Sequence, residues 1–396
     1  MLEPAGEGQP LVRASLRVAG ASLAQHQLGV AIALHCQRVI CLARGTSPEL
    51  IALQHTAEQA DQTFHIVATP QQLSALVTAT DELIVFAEGL FVDAGEAEPL
   101  LASGQPVVLT LPDDGAVGEG FERLDINHAA AGLMKVPGSL VERLHELPSD
   151  FDAGSALTRI ALQAGVQTRA VPASARSGVG WKMVRSEVEA LAVENEWLRG
   201  HFCVEPRAAP ARRLARAAVL SFGPSLLHHG NASVAAALGV LAALVLALGC
   251  AWFGAVVPAL LLIAFSWVLV EGGAMLRSAE RQAHGVLAPA IPRSEALGWL
   301  VDLALIFILV APPSAMLFES AVPFGYRLFP PLILILQAHL VPPLLASRAA
   351  AWVSDRTVLA LILLLAGLLG YLSAAVCLLT VAIALAGIVL PPKRSD

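Results

Sequence analysis

The chain changes solvent partway along its length. Beyond about Ser233, apolar runs long enough to cross a bilayer follow one another, while before about Arg207 the sequence has the mixed polarity of a soluble domain. A membrane-spanning helix needs about 20 mostly apolar residues. Residues 233–275 are roughly twice that length, carry one late charge, Glu271, and read as two helices turning near 249–254. A polar loop over 277–293 follows. Residues 297–317 and 322–346 read as a third and a fourth span, and 357–390 as a tight pair that breaks near 370–373. Six spans are expected. Pro312-Pro313, Pro330-Pro331 and Pro342-Pro343 should kink or end helices, because proline lacks the N–H and clashes with the preceding turn.

Lysine and arginine set the expected orientation. Arg207, Arg212, Arg213 and Arg216 precede the first span. Arg277, Arg281 and Arg293 follow the second, Arg348 and Arg356 the fourth, and Lys393 and Arg394 the sixth, with Arg327 alone on the other side. The positive-inside rule then puts both termini in the cytoplasm of a multi-pass protein of the cytoplasmic (inner) membrane. Within 207–229 the basic cluster runs into Leu214, Val219, Leu220, Phe222 and Leu226. This pattern reads as an amphipathic helix lying on anionic lipid; the alternative is a solvated linker that obeys the same charge bias.

Composition sharpens the division. The 396 residues are 56% hydrophobic and 14% charged, against about a quarter charged in a soluble domain, so the apolar excess belongs to the second half. The first half, about 200 residues, can bury a core of its own. A net charge of −7 gives no reason to expect nucleic acid as a partner. The cysteines Cys36, Cys41, Cys203, Cys250 and Cys377 show no CxxC spacing, and the polar Gly/Pro-rich start does not read as a secretory signal. Reduced thiols are expected.

In the first half, strand-like and helix-like stretches alternate. Residues 22–35, 47–59, 70–78 and 96–102 have helical character, and 38–43, 64–68, 82–87 and 107–111 read as short buried strands. A further strand is expected over 131–136, helices near 138–147 and 155–165, two more short strands, and a charged helix over 187–198. The alternation predicts an α/β domain with a mostly parallel sheet. Asp113-Asp114-Gly115 reads as a turn, with a pair of acidic metal ligands as the alternative.

Particular residues in this half resemble the nucleotidyltransferases with a GT-A-like, Rossmann-related fold. The run from Leu16 through Gly20 to Leu23, followed by Gln25-His26-Gln27-Leu28, resembles their "LPVAGxPLIEHQL" stretch. Residues 83–93 resemble the strand that ends at their metal-binding acids, and Ala131-Gly132-Leu133-Met134-Lys135-Val136 their later "AGxxxxP" strand. The resemblance implies nucleotide binding and a divalent ion, with Glu88 as its ligand where the family has an Asp. The chain departs from the family at its start, where no residues spell the Gly-rich GxGxRL phosphate loop.

The second half resembles the CDP-alcohol phosphotransferases, which carry DxxDGxxAR in the second span and GxxxDxxxD in the third. Here the matching positions are Glu271-Gly272 with Arg277 one place late, and Gly298 with Asp302. Val268 stands for the first acid and Ile306 for the last. His228-His229-Gly230-Asn231 resembles the "TPN" entry to the first span. The resemblance implies Mg²⁺ or Mn²⁺ on Glu271 and Asp302, and substrate contacts at Arg277, Gly272, Gly298 and Asn231. In the family the last acid deprotonates the acceptor alcohol, a task Ile306 cannot perform.

Together the halves are similar to bifunctional inositol-phosphate cytidylyltransferase/phosphodiester synthases. The implied organisation is a tail over 1–12, a nucleotidyltransferase-like α/β domain over 13–205, a basic juxtamembrane helix over 206–230, and a six-span membrane domain over 231–396. The expected function is that of a relative of enzymes that activate and transfer polar alcohol phosphates, with catalysis lost or reduced and a ligand-binding or scaffold role. The alternative is an active transferase with an atypical metal site. A transporter fits less well, for want of an inverted repeat. Partners compatible with the sequence are membrane lipid, a nucleotide or CDP-alcohol, and a second copy of the chain.

Overall fold

The computed structural model describes residues 12–102, 104–146, 151–202, 208–228, 232–284, 293–310, 324–342 and 348–389. The chain divides into two compact units, Met1–His201 with Ala279–Leu287, and Phe202–Ser278 with Ala288–Asp396.

The first unit opens on a tight hairpin in which β1 (Arg17–Val18) pairs antiparallel with β2 (Ala21–Ser22). Its turn holds Ala19 at φ 53 and Gly20 at φ 85, the two left-handed residues that a type I′ turn requires. Ser22 caps α1 (Leu23–Ala33) by accepting from the N–H of Gln25, whose side chain accepts in return from the N–H of Ser22. This box satisfies two donors that a helix start leaves open.

Next come β3 (Arg38–Leu42), α2 (Pro48–Gln59) and β4 (Thr63–Val67), with β3 and β4 paired in parallel, as a helical crossover between neighbouring strands dictates. Ser47 caps α2, and Pro48 occupies its first turn, where a missing N–H costs nothing. The chain continues through β5 (Glu82–Phe86), β6 (Leu90–Val92), α3 (Ala94–Leu101), β7 (Val107–Pro112), β8 (His128–Pro137), α4 (Ala153–Gln163), β9 (Gln167–Ala170), α5 (Ala173–Ser177), β10 (Trp181–Met183) and α6 (Glu187–His201). Two stretches expected as α-helix, Pro70–Ala75 and Gly138–Glu146, wind as the tighter 3₁₀ form.

The α/β alternation is present, but the expected mostly parallel sheet is not. Four strands are ordered β5-β8-β7-β9, and only β7 and β9 run in parallel there; β5 with β8, β7 with β8, and β6 with β10 are antiparallel. The reason is local. No helix separates β7 from β8, so β8 returns antiparallel and takes the place between β5 and β7. The expected turn at Asp113-Asp114-Gly115 forms there, with Gly115 at φ 92. The apolar runs of β7 and β8 are buried on both faces: Val107, Leu109, Ala131 and Leu133 join Trp181 on one side, and Val108, Met134 and Val136 join Leu157 and Ile160 of α4 on the other.

The second unit is helical: α7 (Pro210–His228), α8 (Ala232–Trp252), α9 (Val256–His284), α10 (Arg293–Val310), α11 (Phe324–Leu340), α12 (Arg348–Ser354), α13 (Arg356–Leu368) and α14 (Leu372–Val389). Gly254 at φ 79 turns the chain between α8 and α9, and Gly370 at φ 78 between α13 and α14. The helices share a core of Val240, Leu260, Ile263, Leu305, Leu334 and Leu363. They are also apolar outside, with Leu238, Val245, Leu303, Leu365 and Leu378 exposed. Helices apolar all round belong in lipid.

Among the described residues, three helices are long and apolar enough to cross a membrane: Ala232–Trp252, Val256–Ala279 and Leu372–Val389. This is fewer than the six spans expected. The described part of α10 carries Arg293, Glu295 and Asp302, α11 has 17 residues, and α13 has 13. Pro330 and Pro331 lie inside α11 rather than ending it, and α11 stops two residues before Pro342. Pro312, Pro313 and Pro343 fall outside the described residues. In α7, Ala211, Ala215 and Val219 are buried, while Leu214 and Phe222 are exposed.

Candidate functional site

Two places gather polar chemistry, one in each unit. In the helical unit the centre is Asp302 of α10. Its Oδ1 accepts from Nε of Arg356 at 2.9 Å, and its Oδ2 from Nη2 of Arg356 at 3.3 Å. Oδ2 also lies 2.7 Å from Nε2 of His339 on α11. Arg356 and Asp302 are only 2% and 5% exposed. The remaining guanidinium nitrogen, Nη1, donates to the carbonyls of Ala338 and Ser354 at 3.2 and 2.8 Å. The ring of Trp267 lies 5.3 Å from the guanidinium carbon, a cation–π distance.

The neighbouring residues complete the knot. Asp355 caps α13 by accepting from the N–H of Thr357 at 2.9 Å, and its second oxygen accepts from the N–H of Ala211, at the start of α7, at 2.8 Å. The hydroxyl of Thr357 donates to the carbonyl of Ala264 on α9 at 3.2 Å. Polar bonds therefore tie α7, α9, α10, α11 and α13 together where the surroundings are apolar. Such bonds are obligatory there, since a buried polar group without a partner is costly.

Of the other positions expected from the sequence, Glu271 and Gly298 lie near residues of this knot. Glu271, on α9, is half-buried, and the charges acting on it are those of Arg212 and Asp355. Arg277 is buried, at 8% exposure. A Cβ on Gly272 would stand 3.7 Å from Val219 and 3.9 Å from Ala215 of α7, and one on Gly298 would stand 3.5 Å from the ring of Trp267. These are ordinary van der Waals distances, so a methyl group would fit at either position. Asn231 lies outside the described residues.

A Mg²⁺ or Mn²⁺ ion does not fit the carboxylate of Asp302 as it stands. Such ions take about six oxygen ligands, whereas both oxygens here already face a guanidinium or an imidazole. Among the described residues no three His, Cys, Asp or Glu side chains are grouped to hold a metal. From the sequence Arg356 reads only as a topology charge, and His339 and Asp355 do not stand out. One signal was available: Ser354-Asp355-Arg356-Thr357 places a capping residue just before an apolar run.

In the α/β unit, a cavity of about 780 Å³ lies along β3 and β5. Glu88 is on its wall, in the turn after β5. The amide of Gln27 donates to the carbonyls of Ala87 and Leu90, at 2.9 Å each, and fixes that turn. Gly89 follows at φ 88, and a Cβ there would meet the carbonyl oxygen of Val184 at 2.6 Å. Lys135, also on the wall, pairs with Glu82 at 2.6 Å. Away from the cavity, Glu194 of α6 is fully buried, and burial pushes its carboxyl up to about 7 against a hydrogen bond from the backbone of Ala19. No known protein family matches the chain, and no curated protein aligns with it.

Proposed function

We propose that this is a membrane protein related in layout to enzymes that activate and transfer polar alcohol phosphates in phospholipid or phosphodiester synthesis, and that it acts without phosphotransfer, in a ligand-binding or scaffold role. The observation that carries the reading is the state of Asp302. An acid serving a metal must present free oxygens to it, and this one is held by Arg356 and His339. The sequence adds that hydrophobic Val268 and Ile306 stand where the resembling family has a metal ligand and a base. The ligand class that goes with the resemblance is a nucleotide or CDP-alcohol.

The same proposal includes six spans in the cytoplasmic membrane with both termini inside, following the Lys/Arg asymmetry, and contact of α7 with anionic lipid. Exposed Leu214 and Phe222, on a helix that also exposes Arg212 and Arg213, support that contact.

The experiment is incubation of the purified protein with radiolabelled CDP-alcohols, total lipid, and Mg²⁺ or Mn²⁺. The expected result is no CMP release above that of a protein-free control. Robust release that disappears in Asp302→Asn would overturn the non-catalytic reading and favour an active transferase.

A further inference from the structure

The imidazole of His339 joins the buried ion pair to the outside of the helical unit. Its Nε2 lies 2.7 Å from Oδ2 of Asp302. The His339 side chain is 47% exposed, whereas that of Asp302 is 6% exposed. A carboxylate that faces a guanidinium with both oxygens, as Asp302 does, can only accept. Nε2 therefore carries the proton, and the lone pair of the neutral ring is on Nδ1. Among the described residues nothing bonds Nδ1.

The surface beside this ring is rich in electrons. The ring of Trp299, on α10, lies 6.2 Å from that of His339 and is tilted to it by 43°. Trp299 is 68% exposed. Glu295, also exposed, precedes Trp299 by four residues on the same helix, so the two share a face. Arg356, the cation of the knot, is sealed in at 2% exposure with its nitrogens occupied. A lone pair, an indole face and a carboxylate all attract a positive hydrogen-bond donor, whereas the guanidinium that would suit a phosphate is out of reach.

The surroundings suit a donor carried by a lipid. Leu336, one turn before His339 on α11, and Leu303, one turn after Trp299 on α10, are 50% and 61% exposed. They continue the polar spot as an apolar surface on which acyl chains can lie. The end of α10 that carries Arg293 and Glu295 marks where the helix meets water, and tryptophan is enriched at that boundary. Trp299 stands about 6 Å beyond Glu295 along the helix axis, a distance comparable to the thickness of one headgroup layer.

We propose that His339 and Trp299 form a site for a phospholipid whose headgroup ends in a primary ammonium, with Nδ1 as the acceptor and the indole as a cation–π face. The site deepens the ligand-binding reading above and rests on its placement of α10 and α11 in the membrane. The hydrogen bond to Nδ1 needs an N–H, so a quaternary headgroup satisfies the indole but not the imidazole.

The N-methylation series of dioleoyl phosphatidylethanolamine tests the site with the chain unchanged. Full-length protein in detergent micelles is titrated with the unmethylated, mono-, di- and trimethylated lipids, and bound lipid is counted by native mass spectrometry. The first three keep an N–H. Each should bind about tenfold or more tighter than the trimethylated lipid, the loss expected for one hydrogen bond involving a charged group. His339→Phe keeps a ring and leaves Asp302 on Arg356; it should bring all four lipids to the level of the trimethylated one. Trp299→Leu, at an exposed position, should weaken all four. If His339→Phe does not fold, the methylation series and Trp299→Leu decide. Equal binding across the series would overturn the proposal, as would an unchanged preference in His339→Phe or unchanged binding in Trp299→Leu. Tighter binding of dioleoyl phosphatidylglycerol would also overturn it and make the site one for anions. Free ethanolamine that competes at the same concentration as the lipid would overturn the assignment to a lipid. None of these outcomes depends on CMP release, so this site and the non-catalytic reading fail separately.

Discussion

Arg356 uses every nitrogen of its side chain, two on Asp302 and one on two carbonyls. Breaking a buried pair by removing one partner typically costs about 3–5 kcal/mol, because it strands the other charge, whereas apolar replacement of both is often neutral. Arg356→Ala and Asp302→Leu should each lower the unfolding free energy of the helical unit by that order. The double variant Asp302→Leu/Arg356→Met should recover most of the loss. Denaturant unfolding in detergent micelles checks it, and simple addition of the two single costs would count against a coupled pair.

Glu194 makes a second prediction at the same scale. Its folded pKa, about 7, lies above its unfolded value near 4.3. The fold therefore holds a proton that the unfolded chain releases, and stability falls as pH rises from about 4.3 through about 7. Glu194→Gln keeps an acceptor for the Ala19 N–H and cannot ionise. It should raise the melting temperature of the α/β unit by several degrees at pH 8, at about 2–4 °C per kcal/mol, and change it little at pH 4. An equal shift at both pH values would contradict the titration.

At the scale of elements, the sequence showed where structure lies better than how it pairs. The apolar runs placed β3, β4, β5, β7 and β8 within a few residues of Arg38–Leu42, Thr63–Val67, Glu82–Phe86, Val107–Pro112 and His128–Pro137. Ser22 and Ser47 mark helix starts by capping chemistry that a sequence displays. Strand direction was not legible, because two-sided burial erases the alternation that identifies an antiparallel strand, and the absence of a helix between β7 and β8 was the better clue. In the helical unit, glycines at 254 and 370 announced the turns. The polar knot was half legible. An acid in an apolar run singles out Asp302, but its partners His339 and Arg356 lie 37 and 54 positions away, beyond any local pattern. Gly272 and Gly298 matched a motif spacing, and a methyl group would fit at either position.

For the whole molecule, the number of membrane crossings decides which side each polar feature faces. Among the described residues, three helices meet the length and polarity of a span on their own. An odd count of three would put the termini on opposite sides, whereas the proposed six put both inside. The charges still favour six: Arg281 stands beyond the span Val256–Ala279, Arg348 follows the fourth expected span, and Lys393 and Arg394 the sixth, and cytoplasmic loops are the ones that concentrate such residues, whereas Arg277 and Arg356 are buried and count for packing instead. The interior partners of α10 and α11 support the same count. Asp302, in α10, is bound to His339 of α11 and to Arg356 of α13, which lets a charged helix sit among apolar neighbours without exposing its carboxylate to lipid. Reporter fusions test the arrangement in cells. A fusion at Gly325 should report the outer side, and fusions at Gly285 and Ser395 the cytoplasm. An external signal at Ser395 would exclude an even count and require α10, α11 or α13 to lie in the membrane without crossing it.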